Sequence, residues 1–411
     1  MKSSVKYEKR LLRLIYLLCL LLFTNLALIP KEFDYRAMGM GVVLCAIIAY
    51  SHYVIRKFYP DGDKFLFVFA SILAIVGVAM IYRLNPVEAM KQMVWVILGI
   101  IAYILVVVIM PDLKSFAKYK KVYLISTLVL MPMGFVYGKI FNVETWGAMN
   151  WVYIGPFGFQ PSEFGKIALV LYLSASLMTY QNNGKIKGDF NQLIQPALVA
   201  MYSMACMVLQ TDLGSVLIFF GISVTMLYIT TSKKKYVVAC LGLSSVGAIF
   251  AYSMFRHVKE RIAIWQDPWQ YVDTAGGQIV QGLYAISSGG LFGSGLGKGF
   301  PEYIPVATSD FIFAAICEEL GMIFSVGIMI IYFLMFYRGI RAAFVTSEKF
   351  SQIVAVGFST MIACQTLVII GGVFKVIPLT GITLPLISYG GSSMLTIFFA
   401  LGILQKISEE A

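Results

Sequence analysis

Charge is scarce in this sequence: Asp, Glu, Lys and Arg make up only 13% of its 411 residues, while 59% are hydrophobic. Soluble domains hold about 25% charged and 45–50% apolar residues, so a water-soluble globule is excluded. Histidine is scarcer still. The two present, His52 and His257, lie far apart and cannot form a metal cluster. All six cysteines fall inside apolar runs, which reads as small hydrophobes rather than disulfide partners or metal ligands. A phosphate-binding P-loop is missing too, despite the Gly-rich stretch near residue 297. That motif needs Gly, four residues, then Gly-Lys-Ser/Thr; here Phe292 takes the first Gly position and Gly299 follows Lys298.

What is abundant is long apolar sequence. Windows of about 20 residues, enough to cross a bilayer, occur near 11–29, 37–55, 65–82, 92–110, 122–138, 163–180, 193–210, 213–231, 236–254, 310–337, 352–374 and 386–405. They predict an all-α, polytopic membrane helix bundle of about 12 transmembrane helices. No small-residue cleavage site follows "LLRLIYLLCLLLFTNLALI", so the first run is expected to remain as a span. Basic residues alternate unequally between the two sides: 21 of the 32, from Lys2 to Lys406 and including Lys185, fall with the termini, against 10 on the other side. The positive-inside rule then places both termini in the cytoplasm, beside anionic membrane lipids. The basic residues are dispersed over short loops without a contiguous face, so nucleic acid is not an expected partner.

Two outward loops are long, about 139–162 and about 255–309. The second exceeds what a passive connector needs, so function is expected there. Few intramembrane charges are expected: Glu163, Lys166, Asp212, Glu318 and Glu319, all near outward helix ends. Each costs about 2.5–3.5 kcal/mol on insertion scales. Pro161 suits a helix start and Ser162 a local cap, and Glu163 complements the positive end of the helix dipole. Lys166 does not. One turn apart, the two share a face and have two readings: a mutual ion pair, or a polar floor for an outward cavity that receives an anionic head group. Asp212 in "TDLGS" and the acids of "CEELG" would add carboxylates at that depth, or merely cap helices. The long loop holds Asp267, Asp273, Arg256, Lys259 and Arg261. A carboxylate among cations suits general-base chemistry on a phosphorylated lipid, though a solvated Pro-Trp turn is the plainer alternative. "KVIPLTGITLPLISYGGSSM" reads as broken helix, tolerated only beside a cavity or within protein.

Five stretches carry a resemblance: "GAMNWVYIGPFGFQPSEFGKI", "QTDLGSVLI", "QGLYAISSGGLFGSGLGKG", "TSDFIFAAICEELG" and "PLTGITLPLISYGGSSM". In this order, over roughly 65–406, they resemble the SEDS family (shape, elongation, division and sporulation proteins). The resemblance implies an inverting peptidoglycan glycosyltransferase that polymerises lipid II on the outer membrane face with a class B penicillin-binding protein. It implies a ten-helix core, 64–411, preceded by an extra two-helix segment, 1–63. An aspartate of the long loop would deprotonate the acceptor sugar hydroxyl, which attacks the donor's anomeric carbon as polyprenyl pyrophosphate leaves. Asp273, five residues before Gln278, is the first choice of base and Asp267 the second. Lys166 and Arg261 would offset the leaving charge, with a divalent cation (Mg or Mn) as a further candidate and no other cofactor expected. Trp151, Gln160, Ser162, Glu163, Asp212, Gln278, Glu319 and Ser388 complete the implied substrate-binding set. The chain departs from the family at Asn150, where relatives usually carry Arg, at Thr308, often His, and in the spacing of its loop acids. Two other functions fit a polar outward cavity: a lipid II flippase, which needs no base at Asp273, and a non-catalytic scaffold that activates the penicillin-binding protein.

Overall fold

The computed structural model describes every residue except 1, 61–62, 146, 156, 183–185 and 410–411, so Lys185 of the basic count lies outside the described residues. All twelve expected spans lie on helices. They are α1 (Lys2–Leu28), α2 (Tyr35–Phe58), α3 (Phe65–Leu84), α4 (Pro86–Ile109), α5 (Lys120–Phe141), α6 (Pro161–Leu177), α7 (Ile186–Leu209), α8 (Leu213–Thr231) and α9 (Lys234–Met254), then, after the long loop, α12 (Ile312–Val345), α13 (Lys349–Val373) and α14 (Gly391–Ile407). Among the described residues, ten are long and apolar enough to cross a membrane. The other two, α6 and α14, have 17 residues each. At 1.5 Å per residue each covers about 26 Å, short of the roughly 30 Å hydrocarbon core. The broken helix read from "KVIPLTGITLPLISYGGSSM" precedes α14, where residues 374–390 form an irregular re-entrant segment.

Helices α3, α6, α13 and α14 are buried along most of their length and form the centre. No residue of α9 is buried. Chain turns collect on two opposite faces. On one, Lys406 donates to the Tyr59 hydroxyl at 2.8 Å and Arg338 pairs with Asp63 at 2.9 Å. The other carries both long loops and the re-entrant segment. Polar backbone can sit at membrane depth there because protein encloses it. Gly77 on α3 makes room for it: a Cβ at that position would meet the Ile387 carbonyl oxygen at 2.6 Å.

The long loop is structured rather than open. It holds α10 (Arg256–Gln266), a 3₁₀ turn at Pro268–Tyr271 and α11 (Gly277–Gly289). The shorter one holds an antiparallel hairpin, β1 (Val152–Ile154) with β2 (Phe157–Phe159), which the all-helical expectation did not include. The Gly-rich stretch after α11 has a mechanical cause. Helix α12 breaks at Gly321 (φ 83°), leaving backbone groups without helical partners. Residues 290–295 supply them: the amides of Ser294 and Gly295 donate to the carbonyls of Glu318 (2.9 Å) and Glu319 (3.0 Å), and the amides of Met322 and Ile323 donate to the carbonyls of Gly290 (3.0 Å) and Leu291 (3.1 Å). Such close backbone approach requires glycine. At Gly293 (φ 82°) a Cβ would lie 2.3 Å from the Glu319 carbonyl oxygen. Gly293→Ala is therefore expected to lower the thermal midpoint in detergent, combining about 1–2 kcal/mol of left-handed strain with a backbone clash. An unchanged melt would show that this strap contributes nothing to stability.

Candidate active site

The first turn of α6 begins at Pro161, with Gln160 as its N-cap and the Ser162 hydroxyl buried without a partner rather than capping. One turn on, Lys166 Nζ donates to Glu163 Oε1 and to Gln365 Oε1, both at 2.8 Å. Thr396 donates to the second Glu163 oxygen at 3.1 Å. Lys166 is 1% exposed and Glu163 6%. Of the two readings of this pair, the mutual ion pair is the arrangement present. Gln365 continues the network, donating to the Thr383 carbonyl at 2.9 Å and the Ser393 hydroxyl at 3.3 Å. The charge pair thus ties α6 and α13 to α14 and the re-entrant segment, the geometry a buried pair needs to offset desolvation.

Above it lies a second cluster, joined through Gln160. Its backbone N–H donates to the Ser392 hydroxyl at 3.1 Å, and its side-chain amide donates to Asp212 Oδ2 at 3.1 Å. Asp212 is the N-cap of α8. It also accepts from the Ser215 amide (3.0 Å) and hydroxyl (2.8 Å), and from Asn150 at 3.5 Å. Asn150 is therefore a donor to the same carboxylate. Trp151 stacks on Tyr153 beside it, ring centroids 6.3 Å apart. Arg261, from α10, reaches the carbonyls of Leu379 and Thr380, each at 3.4 Å. Its guanidinium is attracted by both Asp212 and Asp310, and burial pulls its pKa below the usual arginine value. Asp310 precedes α12 and accepts from the Ser309 hydroxyl at 3.0 Å. Burial pushes its carboxyl up to about 6, with Ser309 and Arg261 opposing. Ser388 donates to the Ser309 carbonyl at 2.6 Å and accepts from the Leu384 amide at 2.9 Å, so it braces this corner. Asn150, Gln160, Arg261 and Asp310 are half-buried, which leaves the cluster reachable from the long-loop face.

The remaining expected residues lie elsewhere. Asp267 is exposed and its carboxylate accepts from the Trp269 amide at 3.2 Å, capping the 3₁₀ turn. Asp273 is exposed on the turn before α11, and Gln278 is half-buried in the first turn of that helix. Among the described residues no hydrogen bond or ion pair links either aspartate to the Asp212 cluster. Glu319 also stands apart. It pairs with Arg83 Nε at 3.0 Å, and Arg83 donates to the Gly299 carbonyl at 3.2 Å. With Glu318, which accepts from the Phe300 amide at 2.9 Å, it clamps the Gly-rich strap. Among the described residues no three His, Cys, Asp or Glu side chains gather to hold a metal ion.

The model of the FtsW/RodA/SpoVE family, described as "Cell cycle protein", matches residues 63–411. This chain belongs to that family. Among its relatives, Peptidoglycan glycosyltransferase RodA of Mycobacterium leprae is 33% identical over 93% of this chain and 85% of its own length. Stage V sporulation protein E of Bacillus subtilis is 31% identical over 84% of this chain and 96% of its own. Among solved structures, a chain described under structural coordination of polymerization and crosslinking by a peptidoglycan synthase complex superposes with TM-score 0.72 at 25% identity, covering 84% of this chain and 97% of that one. The RodA crystal structure from Thermus thermophilus gives 0.63 at 22% identity over 84% and 96%, a likeness of fold.

The family motifs therefore converge: "NWVYIGPFGFQ", "TDLGS", "TSDF" and "PLISYGGSS" each send a side chain or backbone group into one cluster. Several members were not singled out from sequence; of these, Gln365 was detectable as a polar residue inside the 352–374 window, and Asp310 and Ser309 as the polar pair before α12.

Proposed function

We propose that this chain polymerises lipid II into glycan strands, with its long-loop face outside the bacterial cytoplasmic membrane. The enzyme class, peptidoglycan glycosyltransferase, comes with the family and with relatives that match along most of its length. Sidedness is supported by the excess of basic residues on the opposite face. The observation that carries the reading is the meeting of Gln160 and Asp212, from two separate motifs, with Arg261 of the long loop at the half-buried cluster on the long-loop face.

The chemistry divides among named residues. An inverting transfer needs a proton acceptor for the attacking hydroxyl and a positive environment for the departing diphosphate. Arg261, with long contacts to two carbonyls, keeps guanidinium N–H groups available for phosphate oxygens. Gln160 and Trp151 are the proposed contacts for a sugar. Lys166 and Glu163 act from below by fixing α6, and so the Gln160 amide, rather than by touching the diphosphate. Asp273 remains the preferred base. Among the described residues its carboxylate makes no hydrogen bond or ion pair, whereas that of Asp267 is occupied in capping a turn.

A class B penicillin-binding protein is the proposed partner, since a structural neighbour comes from a complex that couples polymerization to crosslinking. Residues 1–63 are proposed as an addition to the core, in keeping with a family match that starts at residue 63. The test is glycan formation from fluorescent lipid II by purified protein. Asp273→Asn is expected to lower the rate roughly 100- to 10,000-fold, and Asp267→Asn far less. Polymerisation by Asp273→Asn at the wild-type rate would remove Asp273 from the mechanism; lipid II translocation without glycan would favour a flippase.

A further inference from the structure

We propose that Asp310 is a positioning residue of the transfer reaction: its carboxylate holds the Arg261 guanidinium at the cluster where the donor diphosphate departs. The inference rests on the reading of Arg261 as the cation that meets that diphosphate. Asp310 lies outside the set assigned from family motifs, and three features of the cluster point to it.

Arg261 is placed by field more than by contact. Among the described residues no carboxylate lies within 4 Å of it, and its two carbonyl acceptors are both 3.4 Å away. A guanidinium has five N–H donors, so most remain for an incoming anion. Asp310 shares its seat, since Arg261 lies on the Leu379 and Thr380 carbonyls and Asp310 Oδ2 faces the adjoining Gly381; Asp212 and Asp310 both attract it, and they are not equivalent. Asp212 accepts from Ser215 twice, from Gln160 and from Asn150, which fixes it as part of the wall. Asp310 has one donor, the hydroxyl of its neighbour Ser309.

Asp310 is also held firmly. The Ser388 hydroxyl grips the Ser309 carbonyl at 2.6 Å and the Tyr389 amide grips the Thr308 carbonyl at 2.9 Å, so the two residues just before Asp310 are pinned to the re-entrant segment. Its second oxygen faces Gly381, where even a Cβ would sit 3.6 Å away. A carboxylate so fixed, opposite a cation left free to bind, is the arrangement expected of a group that orients another.

Protonation supplies the test. The groups facing Asp310 are Ser309 and Arg261; those facing Arg261 are Asp212, Asp310 and, on its own helix, His257. With the Asp310 carboxyl raised to about 6, acidification removes one of the two anions holding Arg261. The stability effect has the opposite sign. A carboxyl raised on folding contributes stability that is complete below the unfolded value near 3.9 and is lost as pH rises through about 6.

Initial rates of polymerisation from fluorescent lipid II are measured for the purified full chain between pH 5 and 8, with melting temperatures in the same buffers. Wild type is expected to lose rate below about pH 6. Asp310→Asn should fall at least 10-fold at pH 7.5, lose that acid limb, and melt at or above wild type at pH 7, with the difference vanishing toward pH 4. Asp310→Glu should recover part of the rate. Ser309→Ala removes the one donor that favours the anion and should move the acid limb to higher pH. Wild-type rate and an unchanged acid limb in Asp310→Asn overturn the proposal while leaving the glycosyltransferase reading intact. Should Asp310→Asn fail to fold, an unshifted limb in Ser309→Ala overturns it. A wild-type chain that makes no glycan overturns both.

Discussion

Replacing Lys166 with methionine is expected to destabilise the bundle by about 3–5 kcal/mol, the cost of stranding one member of a buried ion pair. Glu163 would be left 6% exposed with its Oε1 unpaired, and the Gln365 carbonyl oxygen would lose its donor. The loss reaches beyond α6. Gln365 ties the pair to Thr383 and Ser393, and the helix start carries Gln160 into the Asp212 cluster. Polymerisation should therefore fall together with the melting temperature. The double variant Glu163→Gln/Lys166→Met removes both charges and should recover much of the stability. A single variant that melts like wild type would mean that water or lipid head groups reach the pair, contrary to its burial.

Asp212→Asn should separate function from folding in the opposite sense. Asparagine caps helices about as well as aspartate, so α8 should keep its N-terminus and the melting temperature should change little. The negative charge beside Arg261 would be gone, and the donors of Gln160 and Ser215 would face a weaker acceptor. By analogy with the removal of one preorganised electrostatic contact, the polymerisation rate should drop roughly 100-fold. Asp212→Ala should match that loss and add about 0.5–2 kcal/mol of destabilisation from the missing cap. If Asn and Ala variants lose stability equally while Asn keeps full activity, Asp212 is a cap and nothing more.

Sequence reading went furthest where one residue at a time carries the physics. Each span was found because every apolar residue adds to a transfer energy that does not depend on its neighbours. The helix start at Pro161, the cap at Asp212 and the Asp267 turn were visible because such signals act within three residues. The Gly-rich stretch was visible but its purpose was not. It serves as a strap whose amides replace helical bonds broken at Gly321, a pairing of segments about 25–30 residues apart. The β hairpin at 152–159 was missed because three-residue strands give too short an alternation to register.

Composition and hydropathy were enough to establish a many-spanned bundle, and the five motifs, by resemblance, carried the family and its chemistry. Which polar residues meet was decided by packing alone. Lys166 meets Gln365 across 199 positions and Glu163 meets Thr396 across 233. Hydropathy is additive along the chain and so survives in one dimension. A hydrogen bond depends on distance within a few tenths of an ångström, and only the folded helices set the distances that seal Lys166 beneath the cluster and leave Arg261 open above it.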